Sequence, residues 1–166
     1  MKVEFDIQGA DEMLRLLQRL PYEVVTKRGG PVRKAVRKGA LVIRNEARAQ
    51  FTARTQTPGK TGVNYGTGFT AKHIILKRRP PYQGKGERFI VTVRPAEHFN
   101  NHKIGKGKKP LRANDAAFLM EYGSTHQPAE PWLRPTFETK RQQAADTMVA
   151  TLRTELDRIV ARLGAG

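Results

Sequence analysis

Residues 57–62 carry a Gly-Lys-Thr string, in which a lysine could contact the phosphates of a bound nucleotide. A nucleotide-binding loop also needs a glycine five residues before Gly59, and Arg54 occupies that position. Such a loop must leave a strand and enter a helix, whereas this string follows a helical pattern. We therefore interpret the string as a chance match, and the sequence predicts no nucleotide cofactor.

His98 and His102 are the second candidates for chemistry, because a spacing of four would place both imidazoles on one side of a helix. Asn100, Asn101 and the glycines that follow favour a loop instead, and Glu97 is the acidic residue that lies nearby. A metal-dependent nuclease site is the weaker interpretation, and ordinary loop histidines are the stronger one. No metal site is therefore predicted.

Residues for nucleophilic or acid–base catalysis are scarce. The chain has no cysteine, and Ser124 is its one serine. The acidic residues are scattered, with no pair grouped as general acid–base catalysis would need. The lack of cysteine also excludes disulfides and thiolate zinc sites. The sequence predicts a protein that is not an enzyme and that needs no cofactor.

The charge of the chain is strongly positive, with 31 Lys and Arg against 15 Asp and Glu and a net charge of +16. Residues 54–112 contain 14 bases, opposed by Glu87 and Glu97 alone. Such a field attracts phosphate polyanions or an acidic protein partner in a salt-dependent way. No run of about 18 apolar residues occurs and residues 1–7 alternate in polarity, so neither a membrane helix nor a signal peptide is expected.

Periodicity predicts the elements that must position these residues. Residues 3–7 alternate as in a half-buried strand, and a short amphipathic helix follows before Pro21. A second helix is predicted over residues 32–51, with small apolar residues on one face. Residues 52–70 show no periodicity and predict a flexible basic loop that is sensitive to protease in the free protein.

The second half of the chain predicts a hairpin and a long helix. Two strands, 71–77 and 88–94, flank a proline- and glycine-rich connection. Residues 98–115 are polar and basic, and predict a second flexible loop that becomes ordered on a partner. A short apolar element at 116–122 and a long amphipathic helix at 137–163 complete the order. The sequence therefore predicts one α+β domain over residues 1–166, a small antiparallel sheet packed by helices.

The predicted helix at 32–51 carries a basic face that has two interpretations. It is either a solvated helix surface, which is the common case, or a contact with DNA or an acidic neighbour. The basic loop at 98–115 raises the same question. The candidate contacts are Arg33, Arg37, Arg44, Arg48, Lys103, Lys106, Lys108, Lys109 and Arg112.

The most specific pattern lies in residues 117–137, which read Ala-Phe-Leu-Met-Glu-Tyr-Gly-Ser-Thr and then, from residue 128, Pro-Ala-Glu-Pro-Trp-Leu-Arg-Pro-Thr-Phe. This pattern resembles a signature of the phage tail-component family that includes minor tail protein Z and related tail-completion proteins. The basic insertion at 98–115 looks longer than in that family. The motif residues are Glu121, Tyr122, Gly123, Pro128, Pro131, Trp132, Leu133, Arg134 and Pro135.

The resemblance implies a structural virion protein, a ring-forming neck or tail-completion subunit that joins head to tail. The expected partners are further copies in a homo-oligomeric ring (a hexamer is expected), other phage neck and tail proteins, and genomic DNA in the channel, with no membrane. The expected location is the virion neck or tail, with assembly in the host cytoplasm. The alternative is a basic nucleic-acid-binding protein.

The residue types of the motif also have physical reasons of their own. Gly123 permits a tight or left-handed turn after the apolar element, and the prolines stiffen the path that follows. Pro135 is suited to open the last helix. Trp132 is expected to be a rigid apolar anchor, and Glu121 and Arg134 are expected to form a salt bridge within or between subunits.

Overall fold

The structure is a computed structural model, which describes residues 30–56, 68–81, 86–97, 112–126 and 128–163. The predicted strand at 3–7, the short helix after it, Lys103, Lys106, Lys108 and Lys109 lie outside the described residues. The elements in chain order are α1 (Pro31–Gln56), α2 (Phe69–Lys72), β1 (Ile74–Arg79), β2 (Arg88–Val93), α3 (Ala113–Tyr122) and α4 (Leu133–Leu163).

The two strands form a two-stranded antiparallel sheet, and helices make up the other described elements. This confirms the prediction of an α+β fold with a long C-terminal helix. Within the described residues, no helix has the length and apolar content needed to cross a bilayer.

Helix α1 buries a stripe of small residues and ends later than predicted. Ala35, Ile43, Ala47 and Phe51 recur at multiples of four and are buried, which is the spacing of one helix face. The helix continues to Gln56, so residues 52–56 are helical and not part of a loop. In its last two turns, the side chains of Arg54 and Thr55 donate to the carbonyl oxygens of Gln50 and Phe51.

The first strand was placed too early in the sequence. Residues 69–72 form the short helix α2, and β1 begins at Ile74 and runs to Arg79. Gly68 enters this helix in a left-handed conformation with φ 67°, which favours glycine. The His73 ring nitrogen Nδ1 lies 2.8 Å from Phe69 O, and this contact helps close the helical turn. The second strand ends at Val93, one residue before the predicted end.

The predicted loop at 98–115 is shorter at its C-terminal end. Residues 98–111 lie outside the described residues, but Arg112 forms an antiparallel bridge with Glu97 and residues 113–115 belong to α3. Asp115 accepts a hydrogen bond from the backbone of Arg112, as in a helix capping box. The polar residues at the end of this segment therefore start a helix.

By its internal packing the chain divides into two compact units. The first unit includes described residues 30–42, 78–81, 86–90 and 141–163, and the second includes 43–56, 68–77, 91–97, 112–126 and 128–140. The prediction of a single domain stays a prediction.

The first unit packs the start of α1 on the C-terminal part of α4. A Cβ at Gly39 would lie 2.7 Å from Ala144 O and would also meet the Met148 side chain, so the two helices approach closely there. Lys34 Nζ lies 2.6 Å from Glu155 Oε2. Small side chains thus allow close contact, and an ion pair lies beside it.

The second unit contains an apolar cluster that supports α3 and the start of α4. Val91, Val93, Met120 and Leu133 pack against it. The buried members are Ala47, Phe51, Ala71, Ile74, Ala117 and Trp132.

Candidate functional site

The carboxylate of Glu121 caps the N-terminus of α4. Its Oε2 accepts the backbone N–H groups of Trp132 and Leu133, both at 2.8 Å, and its Oε1 accepts that of Arg134 at 3.3 Å. The first N–H groups of a helix have no carbonyl partner within the helix, and Pro135 has no N–H at all. One buried side chain, 6% exposed, therefore satisfies the start of a 31-residue helix.

Glu121 lies in the last turn of helix α3, and this helix ends in a sharp turn at Gly123. Gly123 adopts φ 77° and ψ −176°, and its N–H donates to Leu119 O at 2.8 Å. The chain then returns to the helix, where Glu130 N–H donates to Met120 O at 2.8 Å. Its positive φ favours glycine, in line with the prediction of a tight or left-handed turn, although ψ places the residue outside the left-handed helical region. The turn directs the following residues back towards α3.

Trp132 anchors the junction from the apolar side. Its side chain is 3% exposed, and its indole N–H donates to Ala117 O at 3.1 Å. The Phe51 ring meets the indole edge-on, with centroids 5.1 Å apart and an interplanar angle of 87°. The buried hydroxyl of Thr136 donates to Trp132 O at 2.6 Å. The tryptophan is thus fixed by both polar and apolar contacts, as the sequence predicted for an anchor.

Arg134 joins the same arrangement from the solvent side. Its Nε lies 3.4 Å from Glu121 Oε1, and its side chain is 63% exposed. The guanidinium carbon lies 4.8 Å from the centre of the Tyr122 ring, in cation–π geometry. The predicted salt bridge is therefore present, and it forms within one chain.

An open groove of about 590 Å³ lies beside this junction in the second unit. It is lined by Val91 and Val93 of β2, Phe118 and Tyr122 of α3, and Leu133 and Arg134 at the start of α4. The two aromatic side chains are 60% and 55% exposed, and their ring centroids are 4.6 Å apart. Neighbouring aromatic rings that remain this exposed favour a binding surface over a packed core.

The α3 N-terminal end of the groove is polar. Asn114 and Asp115 both line it, and Asn114 Nδ2 donates to Asp115 Oδ1 at 2.8 Å. Asn114 Oδ1 is buried and has no hydrogen-bond partner among the described residues. The groove therefore has an apolar middle, an exposed carboxylate near one end and the Arg134 guanidinium in its lining.

The last helix begins earlier than the sequence predicted. It starts at Leu133 and not at residue 137, and Pro135 lies inside its first turn. The sequence predicted that Pro135 opens the helix, whereas it is the third residue of the first turn, where a missing N–H still breaks no bond. The earlier start follows from the Glu121 cap, which comes from another element. Pro128 and Pro131 lie exposed in the segment that leads to it.

The predicted basic contacts fall into several groups. Arg37 is exposed, and Arg33 and Arg44 are half-buried on α1. Arg48 donates from Nε to Ile74 O at 2.8 Å and from Nη2 to Lys72 O at 3.0 Å, so its guanidinium fastens α1 to the turn before β1. Arg112 is exposed, with its guanidinium 3.8 Å from Glu97 Oε1. Arg33 and Arg37 belong to the first unit, whereas the motif residues belong to the second.

The groove itself is missing from the sequence interpretation. The sequence predicts one apolar element over residues 116–122, whereas the helix there has two distinct faces. Ala113, Ala117 and Glu121 repeat at four residues and are buried, whereas Phe118 and Tyr122 repeat at four and are exposed. That spacing was the available signal for an aromatic surface.

Comparison of the chain with protein-family models, with curated proteins and with solved structures finds no match. Among the described residues, no group of three or more His, Asp or Glu side chains is placed to hold a metal ion. Arguments about function therefore rest on the geometry of the capped junction, on the groove and on the sequence motif.

Proposed function

We propose that the chain is a non-enzymatic structural subunit of a tailed-phage particle, a ring-forming neck or tail-completion protein that joins head to tail. The observation that carries the proposal is the junction fixed by Glu121 and Trp132. The residues that form it are those of the motif that resembles the tail-completion family.

The junction is suited to hold a surface rigid. Three backbone N–H bonds to one carboxylate and an anchored indole leave the start of α4 little freedom. A preorganised surface loses less conformational entropy when it binds, so more of the contact energy appears as affinity. This property serves assembly of neighbouring subunits.

The exposed side chains beside the junction are those that protein interfaces use. Tyr122, Phe118 and Arg134 are exposed, and tyrosine, phenylalanine and arginine are enriched at interface centres. The groove is open, so it offers a contact surface and not an enclosed pocket. Its shape favours a macromolecular partner over a small substrate.

The charge of the chain fits a position near packaged DNA. With 31 bases and 15 acids, the subunit attracts a phosphate backbone or an acidic connector surface. On α1, Arg37 and Lys38 are both exposed. Contacts of this kind need no base recognition, as expected for a channel through which any sequence must pass.

A genetic test in the parent phage addresses the proposal directly. Deleting the gene should give filled heads and separate tails in electron micrographs, and a copy of the gene supplied in trans should restore joined, infectious particles. Purified wild-type virions should contain the chain by mass spectrometry. Joined and infectious particles from the deletion strain, or virions that lack the chain, would contradict the proposal.

A basic nucleic-acid-binding protein is the second candidate, and the net charge of +16 is the observation that favours it. A filter-binding titration of the isolated subunit against duplex DNA separates the two. Tight binding that weakens steeply as salt rises, together with absence from virions, would support this second candidate.

A further inference from the structure

We propose that the groove between β2, α3 and the start of α4 binds the C-terminal turns of α4 from a second copy of this chain. Each copy would then contact the next through two different surfaces, the groove of one copy and the end of α4 of the other. The inference rests on the proposed ring-forming function and assigns the surfaces that make the ring.

The exposed apolar side chains are the first observation that points to the end of α4 as the segment that fills the groove. Five large apolar side chains are exposed in the described part of the chain, and four lie on α3 or in the first two turns of α4. The fifth is Val160, 52% exposed near the end of α4, with the half-buried Ile159 beside it. A helix that presents apolar residues fits an apolar groove, a recurring mode of recognition between proteins.

Charge complementarity supports a second copy as the partner. In a chain with twice as many bases as acids, the groove lining holds Asp115 and Glu121 against the single base Arg134. The C-terminal turns of α4 carry three exposed bases, Arg153, Arg158 and Arg162, against one exposed acid, Asp157, and the half-buried Glu155. The excess of positive charge at this helix end complements the exposed carboxylate of Asp115 in the groove.

The length of α4 requires that this helix end come from another molecule. Leu133 lines the groove and Val160 lies near the other end of the same helix. At about 1.5 Å per residue, the two positions are separated by roughly 40 Å along the axis. A helix cannot fold back on its own first turn, so the contact is intermolecular. Because the contact joins two different surfaces, it can be repeated from one copy to the next. The copies close into a ring when the rotation between neighbouring copies is a whole fraction of a full turn.

Two charge substitutions test the contact by complementation. Phe118→Glu disables the groove and leaves the helix end intact, whereas Val160→Glu does the reverse. Both side chains are exposed, so each variant should retain the wild-type circular dichroism spectrum. Each variant alone should be a monomer by light scattering, while wild type is oligomeric. The equimolar mixture should give a dimer, twice the 18.7 kDa chain mass, and nothing larger.

Cysteine cross-linking gives a second measurement, because the chain has no cysteine of its own. Mixed Phe118→Cys and Val160→Cys variants should form a disulfide-linked heterodimer under a mild oxidant. The matched control is Phe118→Cys mixed with Lys38→Cys, because Lys38 is an exposed position on α1. This mixture should form no disulfide-linked heterodimer.

Several outcomes would overturn the inference. The inference is removed if the wild-type protein stays monomeric at high concentration and the mixed cysteine variants give no cross-link. It is also removed if the Val160→Glu variant assembles like wild type; if Phe118→Glu nevertheless fails to assemble, the contact is groove to groove. If virions contain the chain and its deletion separates heads from tails, the proposed function stands even when this contact fails.

Discussion

At the scale of single residues, Glu121 combines roles that usually need several side chains. It neutralises the positive end of the α4 dipole, accepts three backbone N–H groups and pairs with Arg134. Hydrogen bonds to a charged group contribute about 1.5–3 kcal/mol each, more than neutral ones. Its partners lie 11 to 13 residues away in the sequence, so the carboxylate also fixes the position of α4 relative to α3.

Replacing Glu121 by glutamine should lower the free energy of unfolding by about 1–3 kcal/mol, because a neutral amide is a weaker acceptor for buried N–H donors. Urea denaturation monitored by Trp132 fluorescence measures the change. Arg134→Gln is the matched control and should cost less than about 1 kcal/mol, because that side chain is largely solvated and such pairs are weak. Equal small effects from both variants would contradict the capping role.

The sequence predicted several contacts of this junction but not the cap that Glu121 forms on the backbone of α4. Gly123, Trp132 and the pairing of Glu121 with Arg134 follow from residue type and spacing, and the structure has all of them. The backbone cap was missed because sequence rules for capping look within about three residues of the helix start. This cap comes from an earlier helix, and only tertiary structure places it there.

At the scale of elements, the structure differs from the sequence prediction where long-range or side-chain contacts set the boundaries. Helix α1 extends beyond its apolar stripe, in turns where Arg54 and Thr55 make side-chain hydrogen bonds to the carbonyl oxygens of Gln50 and Phe51. The short helix α2 replaces the start of a predicted strand, since apolar residues at 69–76 fit either structure by periodicity. The long helices α1 and α4, the two strands and the α+β class followed from the sequence pattern.

Gly39 gives a prediction about helix packing. Glycine to alanine inside a helix normally stabilises it by about 1 kcal/mol. Here the new Cβ would lie 2.7 Å from Ala144 O, so Gly39→Ala should instead destabilise the protein by about 1–3 kcal/mol. Thermal unfolding followed by circular dichroism measures whether the substitution stabilises or destabilises the protein. Asn45→Ala, at an exposed position of α1, is the control and should be neutral or slightly stabilising. If Gly39→Ala stabilised the protein, the two helices would have to pack less closely than the structure shows.

The ion pair between Lys34 and Glu155 gives a prediction about pH. The hydrogen bond from Lys34 lowers the pKa of Glu155 below its ordinary value of 4.5, and the positive charges of Lys34 and Arg158 act in the same direction. A lowered pKa contributes stability above about pH 4.5, and this contribution is lost as the pH falls through the folded-state pKa.

The Glu155→Gln variant should therefore be less stable than wild type at pH 7, by less than about 1 kcal/mol for a partly exposed pair. The difference should shrink as the pH falls below 4.5. Urea midpoints at several pH values measure it, and Asp157→Asn, an exposed change on the same helix, is the control. A difference that persists unchanged at acid pH would show that Glu155 acts through packing and not through its charge.

At the scale of the whole molecule, the net charge of +16 should act in opposite directions on the proposed assembly of copies and on binding to DNA. Bringing copies together concentrates like charge, and each exposed ion pair at a contact offsets less than about 1 kcal/mol of that repulsion. Apolar contact in the groove must supply most of the attraction. A phosphate backbone, by contrast, is attracted by the same charge and releases counterions when it is bound.

Salt should therefore strengthen self-association of this chain and weaken its binding to DNA. Between about 50 mM and about 500 mM NaCl the Debye length falls from roughly 14 Å to roughly 4 Å, which screens repulsion between copies while leaving the apolar contact intact. Sedimentation velocity across this range should show a growing oligomeric fraction for wild type and no change for Phe118→Glu. Filter binding to duplex DNA over the same range should fall steeply for both proteins. Self-association that weakens with salt in parallel with DNA binding would mean that ion pairs, and not the aromatic groove, hold the copies together.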